Sequence, residues 1–378
     1  GAMEYRHEAE LFKRHADIFE DLNANVRLEV MAKIGRARKP KGCVCSQDRC
    51  GINLGNLRAL WKAVQVSCHT WKEPCTWESI NIHHLRRNVV EPATSDKKCR
   101  FVEVNADSPL VPQYFIDAAW NTPFHETMSS LEWFAEAMCL PDDTAFWIDI
   151  FSMASGEFND HFGPIEEAPF FRALEQCEGL VCCFNDEQEH MKRAWRMLNI
   201  EIALRDGKSL FITCPKGALA CVGSFPCGTP VFGDFPASIA RSLREVRMEA
   251  TQTHHPQDLP RVLNLFEDGV GSGAERQRRY DCFASRLRRL SAGVIMRHAV
   301  KSAEIAELEE ACLTPGLTLN GHSTRGALGE SALHVAAASG PPSIEALRLL
   351  LRFGMDPNGA DGISERPLHY AAFVADPD

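Results

Sequence analysis

No apolar run in the sequence approaches the ~18–20 residues that span a bilayer, although hydrophobic residues fill 45% of the 378 positions. A membrane partner is therefore not expected. Positive charge is in short supply too: 41 Lys and Arg against 51 Asp and Glu give a net charge of −10. A broad phosphate-binding surface, and with it a nucleic-acid partner, is excluded on that balance. The one glycine-rich run, 269–273, follows no strand-like segment, so it reads as a linker and not as a phosphate loop. No Gly-x-Ser-x-Gly nucleophile elbow occurs. The start, Gly1-Ala2-Met3-Glu4-Tyr5, becomes charged at once and is expected to be an expression scar followed by helix and not a secretory leader. On that reading the 15 cysteines are mostly free thiols in a reducing, cytoplasmic compartment.

What is present suffices for a sizeable buried core, and the length suggests two or three domains. Residues 1–78 read as a helical, Cys/His-rich extension. Its charged helix over 5–40 ends in a basic run, and a further helical spacing covers 57–66. Residues 79–268 read as an α/β unit. Strand-like runs at 100–104, 113–118, 145–151, 179–184 and 209–214 alternate with helical patterns at 79–90, 129–138, 168–177 and 187–205. Near-continuous apolar strands between amphipathic helices predict a parallel sheet covered on both faces. The Gly/Pro/Phe-rich stretch 215–235 predicts loop, and 236–250 and 258–267 predict helices. Residues 269–300 predict a linker and a connector helix, with Phe283, Leu287, Leu290 and Val294 opposed to Arg286, Arg288 and Arg289.

Residues 301–378 contain a repeat. Leu333-His334-Val335-Ala336-Ala337 returns 35 residues later as Leu368-His369-Tyr370-Ala371-Ala372, near the ~33-residue ankyrin period. The pattern resembles the ankyrin signature, with 344–358 matching the second helix and exit turn and 301–320 a divergent first repeat. The resemblance implies that the His ties each turn to the next repeat and that Leu and Ala pack paired helices. It also implies a surface for a protein partner.

Two groups of residues carry candidate chemistry. Cys43, Cys45, Cys50, Cys68, His69 and Cys75 place six soft donors within 33 residues. Four of them in a tetrahedron would make a structural zinc site. Alternatively they pack as separate thiols, since Cys-x-Cys is a poorer opening chelate than the usual spacing.

The second group lies in the α/β unit. Tyr114-Phe115-Ile116-Asp117-Ala118-Ala119-Trp120, Phe146-Trp147-Ile148-Asp149 and Arg193-Ala194-Trp195-Arg196-Met197-Leu198-Asn199-Ile200-Glu201 resemble the motifs, in order, of TIR-like domains of the algal and protist type. That resemblance implies a flavodoxin-like fold, partnering with other copies or proteins, and in some members cleavage of NAD. Cleaving members place a Glu four residues after the last Trp, where a carboxylate meets positive charge developing on the ribose. Here that position, four after Trp195, is Asn199, and the family's Ser-His is Asp117-Ala118. Glu201 stands ~200° around the helix from Asn199. The candidate pocket is therefore Trp120, Trp195 and Asn199 for a nucleotide such as NAD. Asp117, Asp149 or Glu201 is the substitute acid, or else Asp117 and Asp149 are simply caps or turn residues. The expectation is an interaction or signalling protein with a degenerate TIR-like domain, with an NAD-cleaving hydrolase as the alternative.

Overall fold

The computed structural model describes residues 45–375 except 47–48, 72–74, 96–97, 106–107, 155–167, 186–190, 223–230, 254–255, 268–272, 322–323, 327 and 341–342. Cys43 and the expected helix over 5–40 lie outside the described residues.

Seven strands form one mixed sheet: β1 (Ile52–Asn53), β2 (Tyr114–Asp117), β3 (Ala145–Trp147), β4 (Gly179–Cys183), β5 (Ser209–Cys214), β6 (Gly217–Val222) and β7 (Val231–Gly233), in the order β1-β3-β2-β4-β5-β6-β7. The middle four run parallel, with Tyr114 opposite both Phe146 and Gly179, and Gly179 opposite Ser209. β1, β6 and β7 pair antiparallel at the two edges. Every residue of β4 is buried, as a strand covered on both faces requires.

The period of two along β2 sorts its side chains. Tyr114 meets Phe134 at 5.0 Å, on the helix α1 (Phe124–Ala137). Asp117, on the other face, meets Arg196 of the helix α2 (Ala194–Arg205). Residues expected outside the α/β unit also join it. β1 extends the sheet, and the helix Leu54–Ser67 buries Leu57, Leu60 and Val64. Its first turn is fixed by Asn53, whose side chain accepts from the Asn56 N–H at 2.7 Å.

Three local expectations are corrected. Residues 100–104 are not a strand but lead into the short helix Phe101–Asn105. Glu103 turns back to accept from the Arg100 N–H at 2.7 Å, which satisfies an open N–H group at the helix start, and its other oxygen accepts from the Cys45 N–H at 2.6 Å of a distant segment. Residues 215–235 are not loop throughout: β6 and β7 form a hairpin with Gly217 opposite Gly233. A Cβ at Gly233, whose φ is +78°, would lie 2.5 Å from the Lys216 carbonyl, so glycine marks a close strand approach there. Of the helix expected over 187–205, residues 187–190 lie outside the described residues, and the described helix runs over Ala194–Arg205 with Arg193 held extended against Gln252.

The helix α3 (Gly273–Lys301) is 29 residues long and buries Phe283, Leu287, Leu290 and Val294. It packs on the helix Ala237–Arg244 of the α/β unit, and also on the helices Ile305–Cys312 and Ala332–Ala338. Ile344–Arg352 and Pro367–Ala375 complete the described helices of that region. One hydrophobic cluster extends from Cys50 to Met355. No described helix is long and apolar enough to cross a membrane.

Candidate functional site

The parallel strands visit the sheet in the order second, first, third, fourth, so the chain reverses direction about β2. Open α/β sheets bind ligands outside the carboxyl ends of their strands at such a reversal. Asp117 is the last residue of β2, beside Cys182 of β4.

Both oxygens of its carboxylate accept hydrogen bonds. Arg196 donates to Oδ1 from Nε at 3.0 Å and from Nη2 at 2.9 Å, and Nη2 also reaches the Asp117 carbonyl at 3.2 Å. Asn199 Nδ2 donates to Oδ2 at 3.0 Å. Arg196 and Asn199 are three apart on α2, so both extend from one helix face. Only 1% of the Arg196 side chain and 13% of that of Asp117 is exposed. The guanidinium also lies 4.5 Å over the Phe184 ring, where the ring's negative face stabilises it further.

Asp149 follows β3 and opens the helical turn Asp149–Ser152. Its Oδ2 accepts from Trp120 Nε1 at 2.6 Å and its Oδ1 from the Ile150 N–H at 2.6 Å. Burial pushes this carboxyl up to about 6, against the two hydrogen bonds and with help from the negative charge of Asp117. His83 flanks Trp120 edge-on at 5.2 Å and bonds Asn121 at 3.1 Å.

Asp117, Trp120, Asp149 and Asn199 therefore share one end of the sheet. Trp195 turns to Phe170 instead, edge-on at 5.1 Å. Glu201 faces α3, where Arg286 Nη1 lies 3.3 Å from its carboxylate and burial raises its pKa. Among the described residues, two buried polar atoms at the mouth have no hydrogen-bond partner: Arg196 Nη1 and Asn199 Oδ1. The two N–H donors of one cationic nitrogen and one amide oxygen complement a hydroxyl group or a water molecule.

The sequence reading passed over Arg196. The sequence carried only a weak signal for it: Arg196 lies three residues before Asn199, so the two share a helix face toward the same strand end.

The cysteines divide into separate places. Arg100 donates to Cys50 Sγ at 3.2 Å and to the Cys45 carbonyl at 2.7 Å. Burial pushes the Cys50 thiol up to about 12. Cys68 is buried at the end of the helix Leu54–Ser67 and bonds the Gln65 carbonyl, His69 is exposed, and Cys75 is half-buried. Among the described residues no three His, Cys, Asp or Glu side chains are grouped to hold a metal.

In the repeats, His334 is buried. Its Nδ1 accepts from the Ser331 N–H at 3.1 Å, and its Nε2 lies 3.2 Å from the Glu365 carbonyl of the next turn. His369 repeats the first contact, accepting from the Arg366 N–H at 2.9 Å. The two turns are also joined by the Gly362 N–H, which donates to the Leu328 carbonyl at 2.7 Å. The turn tips Leu328 and Ile363, 35 residues apart, are 57% and 66% exposed.

An ankyrin repeat family model matches residues 328–359. No curated protein matches the chain. The matched segment contains the His334 turn and the helices Ala332–Ala338 and Ile344–Arg352. A repeat of this kind is in general a protein-interaction module, and its turn and paired helices are the surface that such a module offers.

Proposed function

We propose that the protein is a signalling or scaffold protein: its ankyrin repeats hold a protein partner, and its α/β unit is a flavodoxin-like, TIR-like domain that does not turn over NAD. The observation that carries this reading is the state of Asp117. A catalytic carboxylate has to face the substrate's developing positive charge. Asp117 faces Arg196 instead, and its second oxygen is taken by Asn199. Glu201 is turned to Arg286. The parallel-strand order around β2 supports the flavodoxin-like part, and the order of the motifs supports the TIR-like part.

A second reading keeps NAD cleavage, with Asp149 as the acid, and is favoured by its pKa of about 6, close to the working range of a general acid. Nicotinamide release from NAD separates the two. The scaffold reading predicts release by the full chain no faster than by Asp149→Asn or Asp117→Ala. Release that is clearly above background and lost in either variant would establish the hydrolase.

A further inference from the structure

The junction between successive repeats uses three groups, and the chain presents the same three groups again one repeat later. His334 Nε2 lies 3.2 Å from the Glu365 carbonyl of the following turn. Asn320 donates from Nδ2 to the Gly354 carbonyl at 3.1 Å and accepts from the Asp356 N–H at 2.8 Å, both in the following exit turn. Leu333, on the helix that packs against Ile344–Arg352 and Pro367–Ala375, is 1% exposed. Their counterparts are His369, Asn358 and Leu368. All three are exposed, Leu368 to 77%, and among the described residues neither His369 Nε2 nor the Asn358 side chain has a hydrogen-bond partner. The helix Ile344–Arg352 is one-sided in the same sense. Arg352 turns toward the preceding helix, Ile305–Cys312, where it lies 3.2 Å from Glu309. Leu347 stands ~140° around from Arg352, and with the exposed Leu351 one turn on it makes an apolar stripe on the side away from Glu309. The other end of the stack is closed: α3 packs on Ala237–Arg244, whose Arg241 and Arg244 also pair with Glu307 and Glu310.

We propose that this open face docks a helix–turn–helix segment of a partner protein, patterned as residues 344–372 are here. A Leu/Ala helix covers Leu347, Leu351 and Leu368. Its exit turn offers a carbonyl and an N–H to the Asn358 amide, and the next turn offers a carbonyl to His369 Nε2. The occupant follows from continuity. The face extends the junction that Ile344–Arg352 and Pro367–Ala375 already make with Ala332–Ala338, so the segment that fits it shares their chemistry. A second copy of this chain fits less well, because its own segment of this pattern is engaged within its stack and its opposite end is closed by Ala237–Arg244. The proposal rests on the reading of the repeats as a partner-holding module, and it narrows that reading to the end of the stack, apart from the turn tips Leu328 and Ile363.

The test uses the full chain and a fluorescein-labelled peptide with the sequence of residues 343–375, set against a scrambled peptide of the same composition and read by fluorescence anisotropy. The ordered peptide is expected to bind at least about tenfold more tightly than the scrambled one. Leu368→Asp, which puts a charge under the docked helix, should weaken binding at least about tenfold. Asn358→Ala and His369→Ala should each weaken it about threefold, and Leu328→Asp at a turn tip should leave it unchanged. All four positions are exposed, so their substitution leaves the fold intact, which circular dichroism checks. Equal binding of the two peptides, no binding, or binding indifferent to Leu368→Asp overturns the proposal. Loss in Leu328→Asp alone overturns it too, while the repeats keep their role as a partner-holding module. Self-association of wild type in sedimentation that Leu368→Asp abolishes would make a second copy the occupant and overturn it as well.

Discussion

A guanidinium with 1% of its side chain exposed has to find its counter-charge inside the fold, because breaking a buried pair leaves the other charge uncompensated at a cost of about 3–5 kcal/mol. Asp117 meets that need for Arg196, and its availability for chemistry ends there. Asp149 differs: it is held by two N–H groups and no cation. Its folded pKa of about 6 exceeds the ordinary 3.8, so the folded state holds this proton more tightly than the unfolded chain. The resulting stability is fully present below about pH 4 and is lost as pH rises through 6. Denaturant unfolding from pH 4 to 7 should therefore show wild type losing stability relative to Asp149→Asn, by no more than about 3 kcal/mol. A flat difference curve would place Asp149 in contact with solvent. At this scale the sequence exposed the acids, the amide and Trp120, whose types are conspicuous in apolar strands. It hid their pairing, since that depends on how α2 is rotated over β2. The i, i+4 spacing put Asn199 with Trp195, whereas the fold puts it with Arg196.

Among elements, the strands β2 to β5 were the most legible, because unbroken apolar runs such as Gly179–Cys183 have few alternatives in a mixed sheet. The misreadings fell where local hydrogen bonds override pattern. Phe101, Val102 and Val104 are all buried, yet Glu103 closes a helix start beneath them. The β6–β7 hairpin was hidden because its glycines, which signal turns, mark paired positions instead. The repeats were legible as a pair of matching strings. Their join is sensitive at Gly329, whose φ is +77° and where a Cβ would sit 2.6 Å from the Gly362 nitrogen. Gly329→Ala should therefore push the two turns apart and lower stability by more than about 1 kcal/mol. Far-UV circular dichroism during thermal unfolding measures it. An unchanged midpoint would mean the turns are not stacked as described.

Over the whole molecule, α3 is the shared wall of two units. On one side it carries Arg286 to Glu201. On the other, Arg297 donates to the Thr324 carbonyl at 2.8 Å. A second join bypasses α3, with Arg241 bonded to Glu307 at 2.6 Å and Arg244 to Glu310 at 2.6 Å. The basic amphipathic stripe announced this helix, but its partners on both sides came only with the fold. All seven tryptophans lie between positions 61 and 195. If α3 makes unfolding cooperative, Gly329→Ala in the repeats should lower the urea midpoint read from tryptophan fluorescence as well as from circular dichroism. A tryptophan transition left in place while circular dichroism shifts would show the two units unfolding independently.

The claim on which the functional reading turns is that Asp117 belongs to Arg196 and not to a substrate. A double-mutant cycle on folding stability measures this, with Asp117→Ala, Arg196→Met and the double variant compared by urea unfolding. The account predicts a coupling of about 1–3 kcal/mol, with the double variant far less impaired than the sum of the singles. A coupling near zero, with Asp117→Ala as stable as wild type, would contradict it and return the carboxylate to the list of catalytic groups.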